Sequence, residues 1–302
     1  MASLREIRRK IKSVKSTEQI TKAMKMVAAA RMRRSQMSIL SARPFASRME
    51  RMVRELALLE MRADIEAGEG IQIHPFFDRR PNGGAELLIL VTGDKGLCGA
   101  FNSNLLRAAI DWLRSRKGRK SYCVVVGRKG RDLVHRLKGV DVEIVQELVG
   151  VFPKISYAHA ELVGQAVIDA YLDPKKGLSK VTILYNEFKS VAQQRLLTAA
   201  LLPIPEPAAP PETAALPDYG FEPRRQELLA ALLPRHVKAQ LYRVLLESQA
   251  AELAARMNAM DAASKNAKEL REALDLEANR TRQSLITKEI AELVGGAEAL
   301  AA

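Results

Sequence analysis

Both ends of this chain carry long stretches with the apolar periodicity of an α-helix, and they limit the possible folds more than any other feature. The N-terminal stretch covers residues 3–61, and its first apolar residues are spaced by three or four positions: Leu4, Ile7, Ile11 and Val14. The C-terminal stretch covers residues 223–294 and has one internal proline, Pro234, near its start. A helix of about sixty residues measures about 90 Å, too long to be buried in a protein of this size. We therefore expect the two helices to pair with each other, antiparallel, as a coiled coil.

The apolar positions of the N-terminal stretch do not keep to one side of the predicted helix. Ile20, Met24 and Val27 form a second stripe, which at about 100° per residue lies on a different side from the first one. A third set returns to the face of Ile20 and Met24: Phe45, Met49, Met52, Leu56 and Leu59. We therefore expect an asymmetric pair of helices rather than a uniform coiled coil. Pro44 is expected to kink or interrupt the helix.

The C-terminal stretch has apolar residues at nearly heptad spacing. The first group is Leu253, Met257, Met260, Ala267, Leu270 and Leu274, and the spacing resumes with Ile286, Ile290 and Leu293. This pattern predicts a long helix whose apolar seam faces a partner helix. Gly295 and Gly296 follow, and a glycine pair at that point predicts the end of the helix.

Between the two stretches, apolar runs alternate with helical patterns. Strands are predicted at 87–91, 122–126, 140–146, 181–185 and 196–201, and helices at 104–116, 129–137 and 158–171. Such alternation is typical of a Rossmann-like α/β domain with a mostly parallel sheet. The sequence thus predicts an N-terminal coiled-coil helix (1–61), a loop (62–84), the α/β domain (85–202), a proline-rich linker (203–222) and a C-terminal coiled-coil helix (223–302).

Positive charge is concentrated at the N-terminus. The formal net charge is +13, and the first sixty residues hold 15 basic and 5 acidic side chains. A basic segment of this density favours an acidic partner surface, whether nucleic acid, anionic lipid or a carboxylate-rich protein. Two cysteines exclude a disulfide scaffold, four scattered histidines show no metal-ligand pattern, and no apolar run is long enough to span a bilayer.

The feature most like an active site is the glycine-rich loop after the first predicted strand, residues 92–102. Its spacing fits neither the P-loop nor the dinucleotide-binding motif, so a conformationally demanding turn is the favoured interpretation. Cys98 could be a nucleophile there, but no histidine pairing is visible, and Cys123 fits an ordinary small core residue. Asp94 and Lys95 are interpreted as a turn pair rather than an acid–base couple.

On these residues alone, two functions stay open. A basic coiled-coil nucleic-acid-binding protein fits the N-terminal charge, although Phe45 is the one aromatic residue in the first sixty positions and base stacking would be poorly served. An α/β enzyme with helical arms would require the isolated chain to bind nucleotide.

Three sets of residues, in order along the chain, resemble the gamma subunit of F-type ATP synthases. They are ITKAMKMVAA at 20–29 with RPF at 43–45; GLCG at 96–99 with Asn102; and, in the C-terminal helix, ES at 247–248, ARM at 255–257, Asn279, RQ at 282–283 and IT at 286–287. The resemblance extends over nearly the whole chain. It implies a rotor shaft that performs no bond chemistry and holds no cofactor or metal.

In that family, the terminal helices form an asymmetric coiled coil inside a ring of three alpha and three beta subunits. The α/β domain lies by the membrane c-ring and the epsilon subunit. Proton flow turns the c-ring and the shaft, which drives the beta subunits in sequence through open and closed forms. The resemblance thus implies one copy per complex, held peripherally at the cytoplasmic face of a bacterial inner membrane.

The resemblance also implies the partner-binding residues. Arg282 and Gln283 contact a loop of beta, and the segment around Met24 and Lys25 faces acidic beta loops. No function is assigned to residues 63–82 or to the proline-rich linker. Chloroplast members carry a regulatory cysteine pair that Cys98 and Cys123 do not match, so no thiol switch is expected.

Overall fold

Two long helices at the ends of the chain and an α/β segment between them in sequence make up the computed structural model. The structure describes residues 3–67, 74–80, 83–205, 220, 222 and 224–301, so most of the predicted linker lies outside the described residues. The terminal helices are α1 (Leu4–Ala67) and α5 (Arg225–Ala301). The other elements are β1 (Ala85–Val91), α2 (Phe101–Arg114), β2 (Ser121–Val126), α3 (Arg128–Arg136), β3 (Val142–Leu148), α4 (Tyr157–Leu172), β4 (Leu178–Phe188) and β5 (Gln194–Leu202).

Internal contacts divide the chain into two units. The terminal unit consists of Met1–Ala29 and Arg256–Ala302, and the central unit is Ala30–Ala255. Each long helix contributes residues to both units: the start of α1 and the end of α5 belong to the terminal unit, and their other parts belong to the central unit.

The central unit confirms the predicted α/β domain with a mostly parallel sheet. The described strands are ordered β3-β2-β1-β4-β5, and β5 runs antiparallel to β4. Residues 87–91 of β1 are fully shielded from solvent, because the strand is central and both faces of the sheet are covered. Leu88 and Leu90 pack on one face in a cluster with Leu105 of α2. Ile89 packs on the other face, in a cluster with residues of α4 and of α5.

Helix α1 is longer and less interrupted than the sequence predicts. It continues to Ala67, so the predicted loop at 62–84 begins within the helix. Pro44 lies inside the helix, and the expectation that it interrupts the helix is wrong. Proline removes one N–H donor, whose helical acceptor would be the carbonyl of Leu40. Leu40 is 62% exposed, so water can satisfy that carbonyl.

Helix α5 also continues past its predicted end. The stop predicted at Gly295 and Gly296 is wrong, because the helix extends to Ala301. A glycine inside a helix costs about 1 kcal/mol relative to alanine. The residues after the pair are alanine, glutamate, alanine, leucine and alanine, all of them strong helix formers, and they offset that cost.

In the terminal unit, the inward side of α1 keeps heptad spacing throughout. This seam consists of Ile7, Ile11, Val14, Glu18, Thr21, Lys25 and Ala28, all buried or half-buried. The predicted change of side at Ile20 is therefore wrong for the packed face, since Ile20 and Val27 are 55% and 53% exposed. The heptad spacing of the packed face continues past Val14, but its residues change from apolar to small or charged. A prediction based on apolar residues alone cannot detect such positions.

In the central unit, α1 buries residues at the same spacing. They include Met32, Ser35, Ala46, Met49, Val53 and Leu56. The predicted stripe through Phe45 and Met52 mixes two sides of the helix: these two side chains are 58% and 42% exposed, whereas their neighbours Ala46 and Val53 are buried. The larger side chains misled the prediction because size is a poor guide to which of two adjacent apolar residues faces inward.

Gly127 lies where two loops pack closely at the carboxyl end of the sheet. Its φ is +93°, and a Cβ there would lie 2.0 Å from the backbone oxygen of Thr92. Gly118 has a φ of +88°, but among the described residues nothing outside its chain neighbours lies within 4 Å of its Cβ position. We expect Gly127→Ala to lower the free energy of unfolding by about 3 kcal/mol or more. Gly118→Ala is expected to lower it by about 1–2 kcal/mol, the cost of the backbone conformation alone. Urea unfolding of the full chain measures both, and equal losses would contradict the clash.

Candidate partner-binding surface of the paired helices

Two ion pairs connect α1 to α5 in the terminal unit. The Nζ atom of Lys25 lies 2.6 Å from Oδ1 of Asp261, and Nε of Arg271 lies 3.1 Å from Oε2 of Glu18. Residue numbers fall along α1 as they rise along α5, so the helices are antiparallel, as predicted. The four side chains are 24–42% exposed. These pairs therefore lie within the seam and not on the outer surface.

The α5 side of the seam also has heptad spacing. Its members are Met257, Met260, Ser264, Ala267, Arg271, Leu274, Ala278 and Thr281, all buried or half-buried. Leu270, which the sequence predicts in the seam, is 52% exposed, and Arg271 takes the seam position beside it. The seam thus contains small and charged side chains at positions where most coiled coils have large apolar ones.

The carboxylate of Asp261 is held by two cations. Besides Lys25, it contacts Lys265 one helical turn away, at 3.3 Å. Hydrogen bonds from Lys25 and then Lys265 hold the pKa of Asp261 below its ordinary value. The ionised form of Asp261 therefore prefers the folded terminal unit, which links helix pairing to pH.

Met24 and Lys25, both predicted partner contacts, are half-buried; Lys25 is a seam residue and Met24 lies beside it. The outer surface of α1 around them is apolar, with Met26 60% exposed and Ile20 and Val27 more than half exposed. Apolar groups that neither helix covers are typical of a surface that contacts another protein.

Arg282 and Gln283, the other predicted contacts, are exposed on α5. Arg282 follows Asp261 by 21 residues, or about 30 Å along the helix, so the structure does not bring the two predicted pairs together. Beyond them, α5 carries exposed apolar side chains: Leu285, Ile286, Ile290, Leu293 and Val294. The prediction that the seam resumes at Ile286 is wrong, because the register of the ion pairs places these residues beyond the start of α1 at Leu4.

The glycine-rich loop after β1 uses its acidic side chain to hold neighbouring loops. The carboxylate of Asp94 accepts hydrogen bonds from three backbone N–H groups, of Arg128 at 3.0 Å, Gly150 at 2.9 Å and Phe152 at 3.4 Å. Asp94 therefore ties the loop after β1 to the loops that follow β2 and β3. This geometry is that of a structural turn.

The amide of Asn102 closes the same loop from inside. Its Oδ1 accepts from the backbone N–H of Gly93 at 2.9 Å, and its Nδ2 donates to the carbonyl of Lys95 and to Sγ of Cys98, both at 3.1 Å. Both cysteines are buried and unbridged. Burial raises the pKa of Cys123 to about 12, so its thiol stays protonated at neutral pH.

Two further searches cover the part of the chain that the structure describes. Among those residues, no helix is long and apolar enough to cross a membrane. Nor do they include a group of three or more His, Cys, Asp or Glu side chains that could hold a metal ion.

The residues that sequence reasoning missed are Glu18, Asp261 and Arg271. A signal for them exists: the heptad positions set by Ile7, Ile11 and Val14 continue to Glu18 and then to Lys25. Opposite charges one heptad apart on α1, with opposite charges ten residues apart on α5, indicate a charged seam when both helices are read together.

Two long terminal helices that pair antiparallel, with an α/β domain between them in sequence, define a class of stalk subunit built on a single helical hairpin. Residues 3–300 match the sequence profile of the family described as ATP synthase. An ATP synthase gamma chain of Elusimicrobium minutum is 44% identical, over 99% of both chains. One of Anaeromyxobacter sp. (strain K) is 43% identical, over 99% of this chain and 100% of that one. The chain belongs to the ATP synthase gamma-chain family.

Solved structures agree with this assignment. The central stalk and c-ring structure of the Tetrahymena thermophila mitochondrial ATP synthase contains a chain that is 25% identical, with a TM-score of 0.59, covering 81% of this chain and 99% of that one. A Euglena gracilis mitochondrial ATP synthase structure contains one with a TM-score of 0.63 and 19% identity, covering 98% and 94%, and it supports the fold alone. Nothing in these comparisons supports the nucleic-acid-binding alternative.

Acid is expected to loosen the pairing of α1 and α5 through Asp261. Its folded-state pKa lies below the ordinary value of 3.8, so its contribution is present above that pH and is lost as the pH falls through the lower folded value. Hydrogen exchange of amides 18–29 should therefore differ between the wild type and Asp261→Asn at neutral pH, and the difference should shrink below about pH 3.8.

Asp132→Asn is the matched control. The pKa of Asp132 is also lowered, by a hydrogen bond from Arg131, but this pair lies in the central unit. A change in exchange of residues 18–29 in this control, or none in Asp261→Asn, would contradict the assignment to Asp261.

Proposed function

We propose that this chain is the central rotor shaft of an F-type ATP synthase, coupling proton-driven rotation of the c-ring to the conformational cycle of the catalytic beta subunits. Membership of the gamma-chain family supports this role. The observation that carries it is the antiparallel pairing of α1 and α5 through Lys25–Asp261 and Glu18–Arg271. Because these ion pairs join α1 to α5, the two helices can rotate as one body.

A shaft drives its neighbours only if its outer surface differs from side to side. A neighbour changes state when its interaction free energy with the shaft differs between the two states. Near the level of the Lys25–Asp261 pair, the outer surface of α1 carries apolar Met26 and Val27, whereas α5 carries the exposed cations Lys265 and Lys268. At a given angle, each beta subunit therefore meets a different surface.

The basic N-terminus supports contact with acidic loops of beta. The cations near the start of α1 are exposed: Arg5, Arg8, Arg9, Lys10, Lys12 and Lys15. Charge attraction acts over about a Debye length, 8–10 Å, and does not require side chains to interlock. It therefore tolerates one surface sliding past another, as rotation demands.

In this role the subunit has no catalytic site of its own, and the polar groups of the loop after β1 hold a turn instead. Its partners are the alpha and beta subunits, the epsilon subunit and the c-ring, with one copy per complex. The complex would hold it at the cytoplasmic face of a bacterial inner membrane, as a peripheral component. The contact residues for beta are Met24, Lys25, Arg282 and Gln283, with Lys25 part of the segment that faces the acidic loops.

Met24→Lys is expected to lower the number of protons pumped per ATP hydrolysed in the reconstituted complex. A charge at this half-buried position changes the contact with each beta state. We expect a loss of about twofold to tenfold, equivalent to roughly 0.4–1.4 kcal/mol of differential interaction. Met37→Lys is the control, because Met37 is a 70% exposed methionine of the same helix outside the predicted contact. Equal pumping by the two variants would contradict the role of Met24.

Replacing both Arg282 and Gln283 by alanine is expected to slow ATP hydrolysis by the assembled complex, because exposed polar contacts to beta are lost. The reduction should be about threefold to tenfold, equivalent to about 0.7–1.4 kcal/mol, the net contribution of one ordinary hydrogen bond. Arg280→Ala removes a nearby exposed arginine outside the predicted pair and should leave the rate unchanged. If Arg280→Ala slowed hydrolysis equally, general charge and not the predicted pair would be responsible.

A further inference from the structure

Lys25 has an intrachain partner, although the segment around it is the one proposed to face acidic loops of beta. Its ammonium group lies 2.6 Å from Asp261, and 42% of its side chain is exposed. Glu18, one heptad earlier in the same seam, is paired with Arg271. The two pairs are thus successive charged layers of one interface.

The positions of the charges favour one alignment of the helices. Glu18 and Lys25 are seven residues apart on α1, and their partners Arg271 and Asp261 are ten residues apart on α5. A shift of α5 by one heptad in either direction would therefore break both pairs. Polar seam residues are a usual means by which coiled coils specify their register.

The buried side chains between the two charged layers are too small to fix the alignment by packing. They are Thr21 on α1 and Ala267 on α5, whereas the larger Met260 lies outside the two layers, next to Asp261. Thr21 bonds its own helix, donating to the carbonyl of Thr17 at 2.9 Å. Interdigitation of large apolar groups is what normally locks two helices, and this stretch has little of it.

We propose that Lys25 is a positioning residue of the shaft: through Asp261, and together with Glu18–Arg271, it locks α1 against α5 so that Met24 and its neighbours face the beta subunits at a fixed angle. This inference rests on the proposed rotor function. It assigns the main contribution of Lys25 to its bond with Asp261 and not to attraction between its own charge and beta.

A charge swap separates these two roles. Lys25→Asp places two carboxylates opposite each other, and Asp261→Lys places two ammonium groups there. Each single variant should speed hydrogen exchange of amides 18–29 in the full chain about threefold to tenfold, and should lower the protons pumped per ATP hydrolysed. All variants carry Lys265→Ala, because Lys265 also contacts Asp261 at 3.3 Å and would repel a lysine there. The double variant Lys25→Asp/Asp261→Lys then restores the pair and the net charge, and should return both values to within about twofold of the Lys265→Ala parent.

Lys22→Asp is the matched control, since Lys22 is an exposed lysine of the same helix outside the seam. It makes the same charge change as Lys25→Asp and should leave the exchange of residues 18–29 unchanged. If the swap restores exchange but not pumping, the charge of Lys25 itself contacts beta and the proposal is overturned. If the single variants leave exchange unchanged, the lock does not exist and the proposal is likewise overturned.

The second pair provides an independent check where a Lys25 variant does not fold. Glu18→Arg and Arg271→Glu should each speed exchange, and their combination should restore it. If a complex that lacks this chain but contains all the other subunits pumped protons during ATP hydrolysis, the proposed function would be contradicted. The exchange results would still decide whether the pairs lock the helices.

Discussion

The pairing of α1 with α5 in the terminal unit depends on a seam in which two ion pairs lie between groups of apolar residues: Ile7, Ile11 and Val14 on α1, and Met257, Met260 and Leu274 on α5. Half-exposed ion pairs contribute only about 0.2–1 kcal/mol each. Thr21, Ala28 and Ala267 add little buried area. The helices must therefore rely on the summed effect of many weak layers. Large apolar groups such as Ile20 and Val27 remain on the outside, where a partner can reach them.

The central unit is stabilised in a different way. Residues 87–91 of β1 are shielded on both faces, and Asp94 joins the loops that follow β1, β2 and β3 by three backbone hydrogen bonds. Buried apolar area and satisfied backbone donors make such a unit resistant to local opening. Helix α1 differs accordingly between the two units: its central part buries Met49, Val53 and Leu56, whereas its terminal part buries Ile7 near the start and then Thr21 and Ala28.

How far the sequence predicts this protein depends on where apolar residues coincide with packing. Leu88, Ile89 and Leu90 lie in a continuous apolar run, so the central strand and the mostly parallel sheet were predictable. The charged seam was not, because Glu18 and Lys25 have no apolar signal even though they continue the heptad. The partner residues came from family motifs alone, and the bond from Lys25 to Asp261 joins positions 236 residues apart, beyond any local pattern.

The outer surface of α1 suits the proposed role, in which the shaft would meet three beta subunits in turn. Side chains that anchor deeply in one partner would hold one rotational angle too strongly, and turning would then require breaking that contact. Apolar groups separated by cations, as Ile20, Met26 and Val27 are by Lys22 and Lys25, make many shallow contacts instead. The interaction free energy then changes little with rotational angle for each contact, but the sum over all contacts changes more, provided that α1 and α5 keep a fixed alignment. Under the proposed lock, a fixed register within the shaft is thus the condition for weak contacts outside it to select a conformation.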